Sequence, residues 1–140
     1  MKKILFFCFL MAFSLVCKAQ DECFKCNIYN KEYNVSLTMN LYEESITIPG
    51  QDVLGKVYGY LKKLTDSRVW IIMDVEIDKS GKKALLTMIN DYGSEDLEAE
   101  LSIDGDGNYT LKQLSGSTIK VAGNNKWIKL PKVLVFSSKK

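Results

Sequence analysis

Five carboxylates lie within ten residues: Asp91, Glu95, Asp96, Glu98 and Glu100. Paired carboxylates can move protons for a substrate or flank a glycosidic bond, provided that two share a concave site and one is held above its usual pKa. Their setting points elsewhere. Glu98 and Glu100 alternate with Leu97, Ala99 and Leu101, which puts them on the outward face of a strand, where water solvates them. Asp91, Glu95 and Asp96 share a polar loop with Tyr92, an aromatic that this setting leaves exposed. Asp91, Tyr92, Glu95 and Asp96 are therefore the expected contact surface for a partner. An enzyme built on the acidic cluster is the weakest of the readings considered.

Cys23 and Cys26 form a CxxC. As a redox pair, the motif needs its first cysteine at a helix N-terminus beside a parallel sheet. Here it sits in a polar lead-in, DECFKCNIYN, followed by a strand pattern, so a short-loop disulfide staple or two plain thiols is the expected role. Asn27 stands where haem attachment would need histidine. Asp104, Asp106 and Asn108 have the spacing of the first calcium-loop ligands, but Tyr109 replaces the glycine and Ser115 the final acid. They read instead as a hairpin tip. The chain contains no histidine, which excludes Ser-His-Asp and Cys-His catalysis and His-ligated metals. No cofactor and no metal site is expected.

The frame that must carry these residues is all strand. Residues 97–114 alternate apolar with polar on both sides of Asp104-Gly105-Asp106-Gly107-Asn108, the pattern of a β-hairpin with a tight tip. Tyr33, Val35, Leu37, Met39 and Leu41 form a second alternating run, and 45–48 a short return strand closed by Pro49-Gly50. Val69, Ile71, Met73, Val75 and Ile77 form another run. Its first half, with Trp70 and Ile72, is apolar on both faces, so a covering element is expected there. Residues 51–64 suit either a helix or a loop followed by a strand. Gly55, Gly59 and the strand formers of 57–61 favour the second. Further strands are expected at 84–89 and 118–121, with a last edge at 127–130 and 133–136 split by Pro131. The sum is an all-β, single-domain antiparallel meander of eight or nine strands, with a small barrel favoured over a two-sheet sandwich because closure removes exposed edges.

Lys2 and Lys3, the apolar run 4–16 and the small residues before Gln20 have the layout of a secretory signal peptide. Cleavage near Ala19/Gln20 would release a periplasmic or secreted chain. A lipoprotein anchored at Cys17 is the lesser alternative. Residues 20–30 are read as the polar lead-in and 31–140 as the β-domain. Loss of 1–19 removes three of 19 basic residues and none of 17 acidic ones, for a net charge of −1. That balance argues against nucleic acid as a partner, and no later apolar run is long enough to span a bilayer.

Two surface features remain. Basic Lys112, Lys120, Lys126, Lys129 and Lys132 follow the acidic stretch, with no acid after Asp106. Tyr58, Tyr60, Trp70, Tyr92 and Trp127 could line a ligand cavity, though core packing explains all but Tyr92. In size and class, though not in any motif, the chain resembles small exported β-proteins such as lipocalin-like barrels and periplasmic lysozyme inhibitors. The expected function is a non-catalytic binding protein of the bacterial cell envelope that engages another envelope or secreted protein, as an inhibitor or toxin-immunity protein does. A barrel for a small apolar ligand is the alternative.

Overall fold

The computed structural model describes residues 22–138, apart from Tyr92 and Asn124. The expected signal peptide and Cys17 lie outside them. Eight strands close a barrel: β1 (Lys25–Asn30), β2 (Val35–Asn40), β5 (Gly59–Lys63), β6 (Val69–Ile77), β7 (Lys83–Asn90), β8 (Asp96–Ile103), β9 (Tyr109–Gly116) and β12 (Val133–Ser138). Around the ring each strand is antiparallel to the one before it in this order, and β12 returns to β1. Two short ribbons interrupt the meander: β3 (Ile46–Thr47) with β4 (Lys56–Val57), and β10 (Lys120–Gly123) with β11 (Lys126–Lys129). The favoured barrel is thus the fold, and residues 52–54 form only a single 3-10 turn before β4 and β5.

Alternation fills the bore. Ile28, Leu37, Met39, Leu61, Leu86, Met88, Leu101, Leu111 and Phe136 are all buried in one cluster. An eight-stranded barrel is just wide enough for side chains to fill it. Two β-bulges adjust the pattern. Met73 is an extra residue on β6, between the pairs Ile72–Met88 and Asp74–Thr87. Trp70 and Ile72 therefore face the core before it and Val75 and Ile77 after it, while Met73 itself is exposed. The Tyr33–Leu41 run keeps its expected alternation; the Val69–Ile77 run does not, because a bulge shifts parity by one. Leu114 is the matching extra residue on β9.

The two-faced start of β6 has its expected cover. Ile48 and Val57, from the β3–β4 ribbon and its flank, pack with Tyr60, Val69 and Ile71 in a second buried cluster on the barrel's outside. Burying each such side chain contributes roughly 1.5–3 kcal/mol. Three assignments need correction. Residues 45–48 contain only a two-residue strand, which pairs with β4 and not with the barrel. Residues 127–130 belong to the β10–β11 ribbon and not to the last barrel edge. The lead-in of 20–30 supplies a whole barrel strand, β1, bonded along its length to β2.

Gly59 has a packing reason. A Cβ there would run into the Thr38 carbonyl oxygen and the Met39 backbone on the neighbouring strand. Gly59→Ala is expected to destabilise the protein by about 1–3 kcal/mol, as overpacking against unyielding backbone does, read as a lower urea midpoint with an unchanged slope.

Candidate functional site

β5 ends, β6 begins, β7 ends and β8 begins at one end of the barrel, and the β10–β11 ribbon folds over that end. Its roots are fixed from inside. Ile119, Val121 and Leu130 join the main core. The Trp70 indole N–H donates to the Lys120 carbonyl at 3.1 Å. The buried Gln113 amide ties both ends of the ribbon, donating to the Pro131 carbonyl at 3.2 Å and accepting from the Ile119 N–H at 3.0 Å.

The ribbon's outer contacts are polar and wet. Lys120 meets Glu95 at 3.4 Å, with both side chains about one-third exposed. The Arg68 guanidinium lies 4.7 Å from the centre of the Trp127 ring, and Trp127 is 55% exposed. Such contacts contribute only about 0–1 kcal/mol each. The Trp127 side chain contradicts the expectation of core packing: β11 stands off the barrel, so its alternation does not point inward.

Two loops complete the rim. In 90–95, Asn90 is the organiser: its amide oxygen accepts the Ser94 and Glu95 N–H groups at 3.0 and 3.3 Å, and its NH2 donates to the Ser94 hydroxyl at 3.1 Å. Gly93 turns the loop at φ 71°. In 64–68, the Asp66 carboxylate accepts the Arg68 N–H at 3.4 Å. Between ribbon and loops lies an inner hollow of about 230 Å³, floored by Leu61, Val69, Trp70 and Val121. A shallower, more open hollow of about 600 Å³ adjoins it, and Lys63, Asp66, Arg68 and Trp127 border both.

Of the expected contact residues, Asp91 and Glu95 line the inner hollow. Asp96 does not. It is exposed at the start of β8, and its carbonyl accepts the Ser117 N–H at 2.8 Å. Tyr92 lies outside the described residues. Sequence alone does not bring Arg68, Trp127, Lys63 and Lys120 together, because Arg68 and Trp127 are 59 positions apart and Lys63 and Lys120 are 57. The outward-facing Glu98 and Glu100 sit across from Ser115 and Lys112. The charge segregation along the chain is thus partly resolved across strands, at Glu100–Lys112 and Glu95–Lys120. At the hairpin tip, the Asp104 carboxylate accepts the Asp106 and Asn108 N–H groups at 2.9 and 3.0 Å. Among the described residues no group of three or more acids or cysteines could hold a metal ion.

Cys23 and Cys26 sit at the opposite end. Both are free, half-buried thiols. Phe24 between them is fully buried and stoppers the bore, its ring 6.4 Å from that of Tyr109. The Tyr109 hydroxyl donates to the Cys23 carbonyl, the Cys23 thiol to the Gly81 carbonyl at 3.3 Å, and the Cys26 thiol lies 3.4 Å from the Tyr109 oxygen. Burial pushes the Cys26 thiol up, neighbouring Cys23 adds to this, and the Tyr109 hydrogen bond opposes it. Burial likewise raises the Tyr109 hydroxyl. Cys23 lies in a turn and Cys26 on a strand, a setting without the helix N-terminus that activates a redox cysteine.

No known protein family, curated protein or solved structure matches this chain.

A raised pKa leaves less thiolate at a given pH. Cys26 is expected to alkylate with iodoacetamide more slowly at pH 8 than a free cysteine of ordinary pKa, and to gain rate as the pH climbs through 9 and beyond, followed by mass spectrometry of the Cys26 peptide. Tyr109→Phe removes the hydrogen bond that lowers the value and is expected to slow Cys26 further.

Proposed function

We propose that this chain is an exported, non-catalytic binding protein of the bacterial cell envelope, engaging another protein as an inhibitor or toxin-immunity protein does. The cleft at the ribbon end of the barrel is its contact site. One observation carries this reading: an exposed tryptophan, braced by an arginine, stands at the rim of a small apolar-floored hollow. Tryptophan and arginine are enriched among the residues that dominate protein interfaces, and they act best beside pockets that exclude water.

The filled bore supports a protein partner over a small apolar ligand. Trp70 and Tyr60 are consumed by packing, one in the main core and one in the outer cluster. The inner hollow, at about 230 Å³, is smaller than the roughly 300–1,000 Å³ usual for ligand pockets. It suits one projecting side chain. The adjoining hollow of about 600 Å³ is bordered by Lys63, Thr65, Asp66, Arg68, Asn125 and Lys126, a polar wall unsuited to an apolar ligand. Export rests on the leader pattern of residues 1–19, and N-terminal sequencing of the protein from an envelope fraction is expected to begin at Gln20. A first residue at Met1 would remove the envelope setting.

Immobilised protein of residues 20–140 is expected to retain a protein from envelope or culture fractions. Trp127→Ala should weaken that retention at least about tenfold, as loss of an interface anchor does. Asp91→Asn with Glu95→Gln should weaken it as well, whereas Asp96→Asn, outside the cleft, should not. Retention unchanged by the first two variants would sink the cleft as the contact site. Recovery of a stoichiometric small molecule by mass spectrometry, with no protein retained, would replace the reading by the small-ligand one.

A further inference from the structure

The two hollows differ in charge. The outer one is bordered by Lys63, Arg68 and Lys126 against a single carboxylate, Asp66. Among the described residues none of these three cations makes a salt bridge, and the one ion pair is Lys120–Glu95. The whole chain carries 19 basic and 17 acidic residues, so three cations to one acid is a local excess. The Lys63 ammonium lies close against the ribbon: a Cβ on Gly123 would meet Ile128 Cδ1 at 2.5 Å and that ammonium at 3.0 Å. The inner hollow is different: its floor is apolar and its Glu95 is neutralised by Lys120. The Arg68–Trp127 pair borders both hollows and forms the ridge between them.

We propose that the partner presents an acidic peptide segment, with one apolar residue seated in the inner hollow and carboxylates to one side of it over Lys63, Arg68 and Lys126. This deepens the protein-binding reading and rests on it. A carboxylate paired with arginine or lysine here gains charge-assisted hydrogen bonds and meets cations that break no salt bridge to receive it, though Arg68 already lies against the Trp127 ring. The apolar floor favours a peptide over an anionic oligosaccharide, which has no apolar side chain to seat. Asp91 lines the inner hollow and disfavours acidic residues on that side, since like charges repel across a shared site.

The probes are fluorescein-labelled peptide pools with one central Leu, Phe or Met and three Asp or Glu residues on one side of it. Matched pools carry Lys or Arg instead. Anisotropy with the protein of residues 20–140 is expected to show binding of an acidic pool at least about tenfold tighter than of the basic ones, weakening as salt shortens the screening length from about 10 Å towards 3 Å. Lys63→Glu with Lys126→Glu should reduce acidic-pool binding at least about tenfold, and the milder Lys63→Gln with Lys126→Gln should reduce it less. Lys126 is exposed and Lys63 half-buried, and circular dichroism checks that each variant folds. Equal binding of acidic and basic pools, binding of neither, undiminished binding by the folded charge-reversal protein, or equally strong competition by a heparin oligosaccharide would overturn the proposal. A captured partner protein whose retention survives Lys63→Glu with Lys126→Glu would overturn it too, while leaving the protein-binding reading in place.

Discussion

A ring of eight antiparallel strands leaves a bore that side chains must fill. Every inward position is then under two demands at once, apolar character and the right volume. Leu37, Leu61, Leu86, Leu101 and Leu111 meet both from five different strands. A polar residue is admitted only where its groups are bonded, as at Gln113, whose amide oxygen and nitrogen both find backbone partners. The same closure disposes of sheet edges, which would otherwise be templates for unwanted pairing.

A filled barrel still has two open ends, and their closure decides where this protein can do anything. Phe24 stops one end from the lead-in. The β10–β11 ribbon stops the other, carried there by the long connection between β9 and β12. A two-stranded ribbon cannot cover a circular rim completely, and the uncovered arc beside loops 64–68 and 90–95 is the cleft. The proposed binding site is therefore a by-product of plugging the bore: it lies on the rim because buried side chains occupy the interior.

What could be read from the chain follows from how local each feature is. The hairpin of 97–114 was legible because alternation, a turn-forming tip and a second alternation all lie within eighteen residues. The two-faced start of β6 was legible as needing a cover, since apolar residues on both faces of a strand cannot both be left in water. The identity of the cover was not, because Ile48 and Val57 look like ordinary strand residues. The bulge at Met73 exists only relative to β7, so one strand's sequence cannot show it. Residues 25–30 look like a polar lead-in because DECFKCNIYN is rich in charged and amide side chains; their place as β1 comes from pairing with β2 and β12. Of the candidate site, Asp91 and Glu95 were legible as a polar loop. Arg68 and Trp127 were not, since their meeting depends on closure of the ring and the fold-over of the ribbon.

The two ends are closed by different physics, and this separates structure from recognition. At the Phe24 end, the stopper is apolar and fully buried, and half-buried thiols and the Tyr109 hydroxyl satisfy the carbonyls of Cys23 and Gly81. Disturbing it exposes core. At the ribbon end, the roots are equally fixed, through Ile119, Val121, Leu130 and the Trp70 hydrogen bond. The outer contacts, Arg68–Trp127 and Glu95–Lys120, are already shared with water. Exchanging them for a partner's groups forfeits about 1 kcal/mol or less apiece, while the frame that holds them stays rigid. A partner at the proposed site would need no unfolding and little reordering of this rim, two of the costs that reduce affinity. A surface that is adjustable in its outermost contacts and fixed beneath them is what a rim can provide and a packed bore cannot.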